Sequence, residues 1–369
     1  MTARRTFLRG AAVAAVLGFS RVAKAQEPLT LRWQSAWPRQ DIRHEYAVDF
    51  ARTVDEMTGG DLKIDVMPAG AVVPASGLLD AVSTGALDGG HGALVDHYER
   101  QPAFALWGSG PAYGMDANML LSWHAYGGGK ALLEKLYASI DANVVSFPYG
   151  PMATQPLGWF KKVVTRPDDF KGMRYRTVGL AIDLFQGMGA AVNALPAAEI
   201  VPAIRRGVLD AAEFNNVTSD RALGLADVAK VCMLQSYHQN AGQLEIIVNK
   251  TTFDALPDVI RAVIEHAVAA ASADMSWKSI DRYSKDYVEL QVKERVRFYK
   301  TPDAVLHKQL AIYDQIADKK ASDNPIFKEI LASQKAFAER AVKWDLDTTV
   351  GRRMAYQYYF ARPAASRST

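Results

Sequence analysis

Residues 29–70 read LTLRWQSAWPRQDIRHEYAVDFARTVDEMTGGDLKIDVMPAG and contain the pattern that decides the fold class. Strand-like residues at 29–37 precede an amphipathic helix that ends at Gly59 and Gly60, and a second strand pattern follows at 62–70. The same alternation of helix and strand continues in the later segments 76–90, 170–179, 198–214 and 243–250. The sequence therefore predicts an α/β fold, with a mostly helical part from about Thr251 onwards.

The composition indicates a globular protein with room for more than one domain. The chain has 369 residues, of which 49% are hydrophobic and 22% are charged. These values allow two domains with cores of their own. The net charge of +3 is too small to indicate a nucleic acid partner. Cys232 is the one cysteine of the sequence, so an intrachain disulfide and a cysteine metal cluster are both excluded.

The N-terminus has the features of an export signal. Arg4 and Arg5 precede a short apolar stretch at 11–19, and Ala23-Lys24-Ala25 fits a small-x-small cleavage site. The apolar stretch has roughly half of the ~20 residues that a membrane span needs. We therefore predict a twin-arginine signal peptide at 1–25 and a mature protein in the periplasm.

A weak internal repeat relates two parts of the chain. LDAVSTGALDGG (79–90) and VPAIRRGVLDAA (201–212) share a helix end, a glycine and a Leu-Asp pair. If two lobes are built alike, the residues that follow, His91 and Glu213, occupy equivalent positions and face a cleft between the lobes. The alternative is that G-x-L-D is a common way to end a helix.

No catalytic motif of the sequence is complete. The run Gly127–Lys130 lacks the first glycine and the final hydroxyl residue of a P-loop, and His44-Glu45 lacks the second histidine of a zinc protease motif. Twin-arginine signals also serve cofactor-loaded oxidoreductases. An exported enzyme that acts on small organic acids is therefore the alternative to a binding protein.

Four segments carry a resemblance to a known family: TQPLGWFKK (154–162), DDFKGMRYRTVGLA (168–181), LPAAEIVPAIRRGVLDAAEF (195–214) and EIIVNK (245–250). They resemble the solute-binding proteins of TRAP transporters, DctP type, and within them the branch that binds 2-oxo acids with a metal ion. The resemblance covers essentially the whole mature chain. It implies that the protein is not an enzyme, and that it captures a small organic acid and delivers it to membrane permease subunits.

The resemblance also implies the domain organisation of a two-lobe periplasmic binding protein. The first lobe comprises 26–150, with part of 240–320 returning to it, and the second lobe comprises 151–239. A hinge and a long helix join the two lobes. An additional helical segment at 321–361 follows, and we expect the tail at 362–369 to be disordered.

The KGMRYR signature points to a carboxylate anchor. A guanidinium matches a carboxylate with two parallel hydrogen bonds, which a lysine cannot do. Arg176, at the end of the signature, is the predicted anchor. Arg174 lies two positions earlier on the same strand and is the competing candidate. The alternative role for either arginine is a surface ion pair with Asp168 or Asp169.

A second set of residues would hold a cation and the rest of the ligand. The resemblance implies that Gln155, Glu213, the main-chain carbonyl of Phe214 and Gln239 are the metal ligands, and that Asn215 lines the ligand site with Gln155 and Glu213. Gln239 stands where the family has a second acid. One acid, one arginine and one ligand carboxylate are neutralised by a monovalent cation, so we predict sodium, or no metal, rather than calcium. The alternative to metal binding is that Gln155 and Gln239 make ordinary hydrogen bonds to loops.

Aromatic residues and the first-lobe counterpart of Glu213 give weaker signals. Phe147 and Tyr149 precede Gln155 and are candidates for an apolar wall, although most aromatic residues pack in cores. His91 and Gly92 are candidates in the first lobe, where a neutral imidazole can donate to a keto or hydroxyl oxygen.

The C-terminal segment suggests a second copy of the chain. Asn324 and Pro325 fit a helix start, and apolar residues then recur on one helical face at Ile326, Ile330, Phe337, Ala341 and Trp344. The aromatic run RRMAYQYYF (352–360) follows. In the branch that the chain resembles, such a helix crosses to a second copy, so we predict a homodimer through 321–361. The alternative is that the helix folds back on its own lobe.

Overall fold

The computed structural model of the chain describes residues 28–361. The signal peptide predicted at 1–25 and the tail predicted at 362–369 lie outside the described residues. Within the described range, no helix is both long enough and apolar enough to cross a bilayer.

The described chain alternates strands and helices up to residue 255 and is mainly helical thereafter, as the sequence predicts. The strands are β1 (Leu29–Ser35), β2 (Leu62–Met67), β3 (Gly89–Ala93), β4 (Val144–Tyr149), β5 (Gly158–Phe160), β6 (Arg174–Arg176), β7 (Ala191–Asn193), β8 (Ala211–Ala212), β9 (Val231–Leu234), β10 (Leu244–Asn249) and β11 (Arg297–Lys300). The helices are α1 (Ile42–Met57), α2 (Leu78–Ser83), α3 (Ala117–Tyr126), α4 (Gly129–Ala138), α5 (Ala181–Gly187), α6 (Ala197–Arg205), α7 (Val217–Leu223), α8 (Leu225–Val228), α9 (Lys250–Ala255), α10 (Asp258–Val292), α11 (Asp303–Asp323), α12 (Pro325–Thr348) and α13 (Arg352–Tyr356).

The first lobe is built on a five-stranded sheet in the order β2-β1-β3-β10-β4. Strands β1, β2 and β3 are parallel, and β10 runs antiparallel to both of its neighbours. Helix α1 buries Tyr46, Phe50 and Val54, which recur every four residues on one face, and the Phe50 ring stacks on Trp33 of β1 at 5.6 Å. The β-α-β unit predicted from residues 29–70 is therefore the edge of this sheet.

The second lobe is built on a six-stranded sheet in the order β11-β9-β5-β8-β6-β7. Strand β11, at 297–300, pairs in parallel with β9 and so belongs to the second sheet. Only β10, within the predicted range 240–320, returns to the first sheet. In the sequence, β11 lies between two helical patterns, and nothing in it indicates to which sheet the strand belongs.

Two non-helical segments cross between the sheets, at 150–157 and at 235–243, and the 35-residue helix α10 begins after the first sheet and ends before β11. Gln155 lies on the first crossing and Gln239 on the second. The Gln155 N–H donates to the Gln239 carbonyl at 3.3 Å, so the two crossings are joined at the predicted metal ligands.

The two glycines of the internal repeat have the left-handed conformation that the helix-end interpretation requires. Gly85 has φ +79° and Gly207 has φ +74°. Each follows the end of a helix, α2 or α6, and precedes a strand, β3 or β8. A residue with a Cβ pays a steric cost at such an angle, which is why glycine ends both helices.

The C-terminal helix α12 divides into a packed part and a projecting part. Phe327, Ile330 and Phe337 are buried in the core of the first lobe, and Gln334 donates to the Leu106 carbonyl at 2.8 Å. The first part of the helix therefore folds back on its own lobe. Trp344, which the sequence places on the same apolar face, is 69% exposed, because the helix continues beyond the body of the lobe from about residue 343.

We predict that Gly110→Ala destabilises the protein much more than Gly207→Ala. Gly110 has φ +83°, donates to the His238 carbonyl on the second crossing at 2.8 Å, and has no room for a Cβ because the Tyr313 ring fills that space. Gly207 has the same kind of backbone angle and open space around it. We expect about 1 kcal/mol for Gly207→Ala and about 2 kcal/mol more for Gly110→Ala, measured by urea unfolding. Equal losses would contradict this packing.

Candidate ligand-binding site

Arg176 lies at the end of β6 and is only 5% exposed. Its Nε donates to the Leu195 carbonyl at 3.0 Å, and its Nη1 donates to the main-chain carbonyl and to Oε1 of Glu213 at 2.8 and 3.2 Å. Its Nη2 makes no hydrogen bond to the residues that the structure describes. Three acceptors thus fix the guanidinium plane, and Nη2 is left for another acceptor.

Arg174 has a different environment from Arg176. It is exposed, and its Nε and Nη2 donate to the Asp210 carboxylate at 2.9 and 2.6 Å. Its role is the surface ion pair that the sequence left open, but the partner is Asp210. Asp168 and Asp169, the expected partners, pair instead with Lys171 and Arg166. Strand β6 has only three residues, so its first residue lies at the solvent end of the sheet.

Glu213 is the buried acid beside Arg176, with 2% of its surface exposed. Its Oε2 lies 3.9 Å from Nε2 of His238, which is too far for a hydrogen bond. Burial by itself would raise the pKa of Glu213, but the nearby His238 ring and the Arg176 charge outweigh burial and hold the pKa below its usual value. Glu213 is therefore a carboxylate at neutral pH.

Buried polar atoms without partners lie around this acid. Oγ1 of Thr177, Nε2 of His238 and Oε1 of Gln155 are all buried and have no hydrogen-bond partner among the described residues. An unmet buried polar atom costs about 1–3 kcal/mol. The atoms of Thr177 and His238 are next to Glu213, and that of Gln155 lies on the crossing that is bonded to Gln239. Together they indicate a place that a polar ligand or an ion fills.

The set of oxygen atoms suits a weakly charged cation. Gln155 and Gln239 are 5% and 6% exposed and offer amide oxygens, and Glu213 offers one carboxylate. Within residues 28–361, no group of three or more His, Cys, Asp or Glu side chains is arranged to hold a metal ion. A cation here would rest on a single acid together with amide and main-chain oxygens. The partnerless Gln155 Oε1 fits such a ligand.

Phe214 connects the site to the first lobe. Its ring centroid lies 5.9 Å from the guanidinium carbon of Arg176 and 4.7 Å from that of Arg43 on α1. Arg43 also lies over the Trp37 ring at 5.1 Å and is only 6% exposed. The sequence analysis missed Arg43, because an arginine two residues after a helix N-cap has no distinctive pattern. Thr177 and His238 were missed too, although each is adjacent to a predicted residue.

His91 is enclosed by aromatic rings in the first lobe. It is 1% exposed, and its ring meets Trp37 and Tyr149 edge-on at 5.2 and 4.8 Å. Neither ring nitrogen has a partner among the described residues. Burial, with a smaller effect from His44, lowers the pKa of His91 to about 3, so the imidazole is neutral. The His91 ring contacts Trp37, Trp37 lies against Arg43, and Arg43 contacts Phe214 beside Arg176. These contacts connect His91 to the Arg176 site.

The structure does not bring all predicted site residues together. Phe147 packs against Phe253 in the first-lobe core at 5.8 Å, and a Cβ on Gly92 would contact Leu78 of α2. Asn215 is buried, donates its N–H to Asp220 at 3.0 Å, and accepts from the Asn216 amide at 2.6 Å, so its contacts shape the loop after β8. Tyr149 is fully buried behind His91.

Two α/β lobes, with a buried arginine-carboxylate pair in the second lobe that contacts the first through Phe214, fit the class of extracytoplasmic solute-binding proteins. The family model "Bacterial extracellular solute-binding protein, family 7", DctP, matches residues 34–323, so the chain belongs to this family. The family predicted from the four quoted segments is confirmed, and so is the periplasmic location of the protein.

Several relatives are similar over most of the chain. A monocarboxylate 2-oxoacid-binding periplasmic protein of Nostoc sp. is 29% identical over 317 residues, which cover 85% of this chain and 86% of the relative. A TRAP transporter solute-binding protein of Bordetella bronchiseptica, a mixed occupancy dimer with calcium and picolinate, is 25% identical with a TM-score of 0.83, covering 93% of this chain and 100% of that one. A Pseudoalteromonas atlantica protein with bound sodium and pyruvate is 25% identical with a TM-score of 0.81, covering 90% and 99%.

Proposed function

We propose that this solute-binding protein captures a small 2-oxo or 2-hydroxy monocarboxylate, together with a sodium ion, between its two lobes and delivers the acid to the membrane subunits of a TRAP transporter. The observation that carries the proposal is the buried guanidinium of Arg176, which three acceptors hold in place while Nη2 is left for a ligand. The 2-oxoacid-binding relative and the neighbour with sodium and pyruvate support the same ligand class.

The residues of the site form two groups, one that binds the acid and one that binds the cation. Arg176 takes the carboxylate of the acid, and the neutral His91 ring donates to its oxo or hydroxyl oxygen from the first lobe. Gln155, Glu213, Gln239 and the main-chain carbonyl of Phe214 take the cation. The cation supplies positive charge next to the oxygen atoms of the acid, and the protein residues fix the positions of the cation and the acid.

The charge balance favours sodium over calcium. Arg176 and Glu213 cancel each other, so a bound monocarboxylate leaves one negative charge in a buried site. A monovalent cation removes that charge, whereas a divalent one leaves an excess in a medium that penalises it. A neighbour from Colwellia psychrerythraea binds calcium with pyruvate, so both ions occur among similar proteins.

An exported enzyme is the competing function, and turnover decides between the two. The family is one of binding proteins. Oγ of Ser236 does lie 2.7 Å from Nδ1 of His238, so turnover has to be measured. Pyruvate incubated with the purified protein and recovered unchanged, together with a thermal shift, supports a receptor. At a hundred times its dissociation constant a ligand stabilises the folded protein by about 2.7 kcal/mol. Conversion of the pyruvate would contradict the proposal.

We further propose that the projecting end of α12 and the segment after it join two copies of the chain. Trp344, Leu346, Met354 and Phe360 are 69%, 76%, 77% and 71% exposed. Large apolar groups concentrated on one projecting segment are typical of a protein interface. The dimer of the Bordetella bronchiseptica protein supports a two-fold assembly. The packed part of α12, up to about residue 342, stays with its own lobe.

We predict that Arg176→Lys abolishes most of the affinity for pyruvate and leaves the fold intact. A lysine has a single ammonium group and cannot bond Leu195 and Glu213 while it also donates to the ligand carboxylate, so we expect a loss of about 2–5 kcal/mol in binding free energy. Isothermal titration calorimetry measures it. Arg174→Lys, the same exchange two residues away on the surface, is the matched control and binds normally. Near-normal binding by Arg176→Lys would refute the anchor.

Sodium dependence is the second prediction for this site. At constant ionic strength, we expect pyruvate affinity to rise when sodium replaces choline and to be unaffected by EDTA. Gln239→Glu adds a second acid to the cation ligands and should make the affinity depend on calcium, because the extra charge favours a divalent ion. A wild-type affinity that EDTA lowers would overturn the charge argument.

A third prediction concerns the dimer. A chain that ends at Lys343 keeps the buried part of α12, so we expect it to elute as a folded monomer that still binds pyruvate. A chain that ends at Ala361 is the control and should elute as a dimer. Elution of the uncut mature protein as a monomer at micromolar concentration would contradict the interface.

A further inference from the structure

Two arginines from opposite lobes share one aromatic ring in the candidate site. The Phe214 ring has the Arg176 guanidinium at 5.9 Å and the Arg43 guanidinium at 4.7 Å. The two guanidinium carbons are therefore separated by no more than the sum of these distances. A short dicarboxylate with one guanidinium at each end spans a gap of this kind.

Arg43 differs from Arg176 because its charge already has a partner. Its Nε and Nη2 donate to Oδ1 and Oδ2 of Asp41 at 2.9 and 2.7 Å, a bidentate pair whose members are 6% and 5% exposed. Burial acts to raise the pKa of Asp41, but the charge and hydrogen bonds of Arg43 outweigh it, so the pKa is lowered and Asp41 is ionised. The fork of Arg43 is thus occupied by a carboxylate from the protein itself.

Asp41 has two further contacts that hold it in this position. It is the N-cap of α1, and its Oδ1 accepts from the Arg43 N–H at 2.9 Å. The Ser219 hydroxyl of the second lobe donates to the same oxygen at 3.1 Å. Asp41 therefore cannot turn away from Arg43 without losing a helix cap and a contact between the lobes.

We propose that Asp41 is a specificity-determining residue that makes the site reject dicarboxylates by occupying Arg43. This inference rests on the proposed function, because it assumes that Arg176 binds the first carboxylate. A second carboxylate on the ligand would meet the ion pair instead of an open guanidinium. It would either lie unpaired near the Asp41 carboxylate or have to displace it, and both are costly away from water.

The test compares two acids of equal length that differ at one end. 2-Oxopentanoate ends in a methyl group and 2-oxoglutarate ends in a carboxylate. We expect the wild-type protein to bind 2-oxopentanoate at least about tenfold more tightly than 2-oxoglutarate, since the second carboxylate of 2-oxoglutarate loses its hydration and gains no partner in the site. Calorimetry gives both dissociation constants. Equal wild-type affinities would overturn the inference without any variant.

Asp41→Asn removes the charge and keeps a residue that caps helices well. We expect the affinity ratio to move towards 2-oxoglutarate by about tenfold or more, because Arg43 then has an open fork. Adding Arg43→Gln should cancel this gain. Asp210→Asn removes a surface carboxylate that also pairs with an arginine, so it matches the change in net charge and should leave the ratio unaltered.

Two more measurements separate the possible outcomes. Ser219→Ala removes the contact between the lobes but keeps the Asp41–Arg43 pair, so both affinities should fall together and their ratio should stay constant. Asp41→Ser, which also caps helices, replaces Asp41→Asn if circular dichroism shows that the latter is unfolded. An unchanged ratio in a folded Asp41 variant overturns this inference alone. A wild-type protein that binds neither acid overturns the proposed function and this inference with it.

Discussion

The candidate site depends on one buried contact, the pair between Arg176 and Glu213. Both residues are at the ends of strands in the second sheet, and Nη1 of the arginine bonds both the main chain and the carboxylate of the glutamate. A buried ion pair stabilises a protein only when its other polar atoms are also satisfied. Leu195 satisfies Nε, but Nη2 and the polar atoms around the acid have no partner in the described chain. The second lobe therefore holds a strong, preorganised and incompletely satisfied site.

The first lobe completes this site through a row of cationic and aromatic groups. From the second lobe to the first, the row consists of Arg176, Phe214, Arg43, Trp37, His91 and Tyr149, with successive centres 4.7–5.9 Å apart. Such contacts gain strength when water is excluded. Closing the lobes therefore stabilises the row, and a ligand that fixes Arg176 and Phe214 also fixes the surface on which Arg43 rests.

Sequence patterns predict those features that local chemistry determines. The helix ends at Gly85 and Gly207 and the β-α-β start each follow from a few neighbouring residues, and the KGMRYR signature is the basis for proposing Arg176 as the carboxylate anchor. Arg43 could not be found in this way, because its importance comes from Phe214, 171 positions away in the other lobe. Phe147 and Tyr149 lie two residues apart on the same strand, yet Tyr149 contacts His91 and Phe147 contacts Phe253. These contacts depend on the neighbouring elements, which the strand sequence does not specify. The position of α12 also depends on tertiary packing, since the apolar face of a helix does not specify which surface it packs against.

The charges in the cleft imply that acid and cation bind as a pair. Arg43 and Asp41 cancel each other, and so do Arg176 and Glu213. Asp220 is also buried next to this site, and burial raises its pKa to about 7. With Asp220 protonated the empty cleft is neutral, and either an anion alone or a cation alone leaves a net charge in a place that is poorly solvated. Each ligand removes the penalty that the other incurs. Because such coupling is reciprocal, the factor by which the cation raises affinity for the acid equals the factor by which the acid raises affinity for the cation. If the proposed acid and cation occupy this cleft, the two internally cancelled pairs require that the cation be present for firm binding of the acid, and that loss of either one weaken binding of the other.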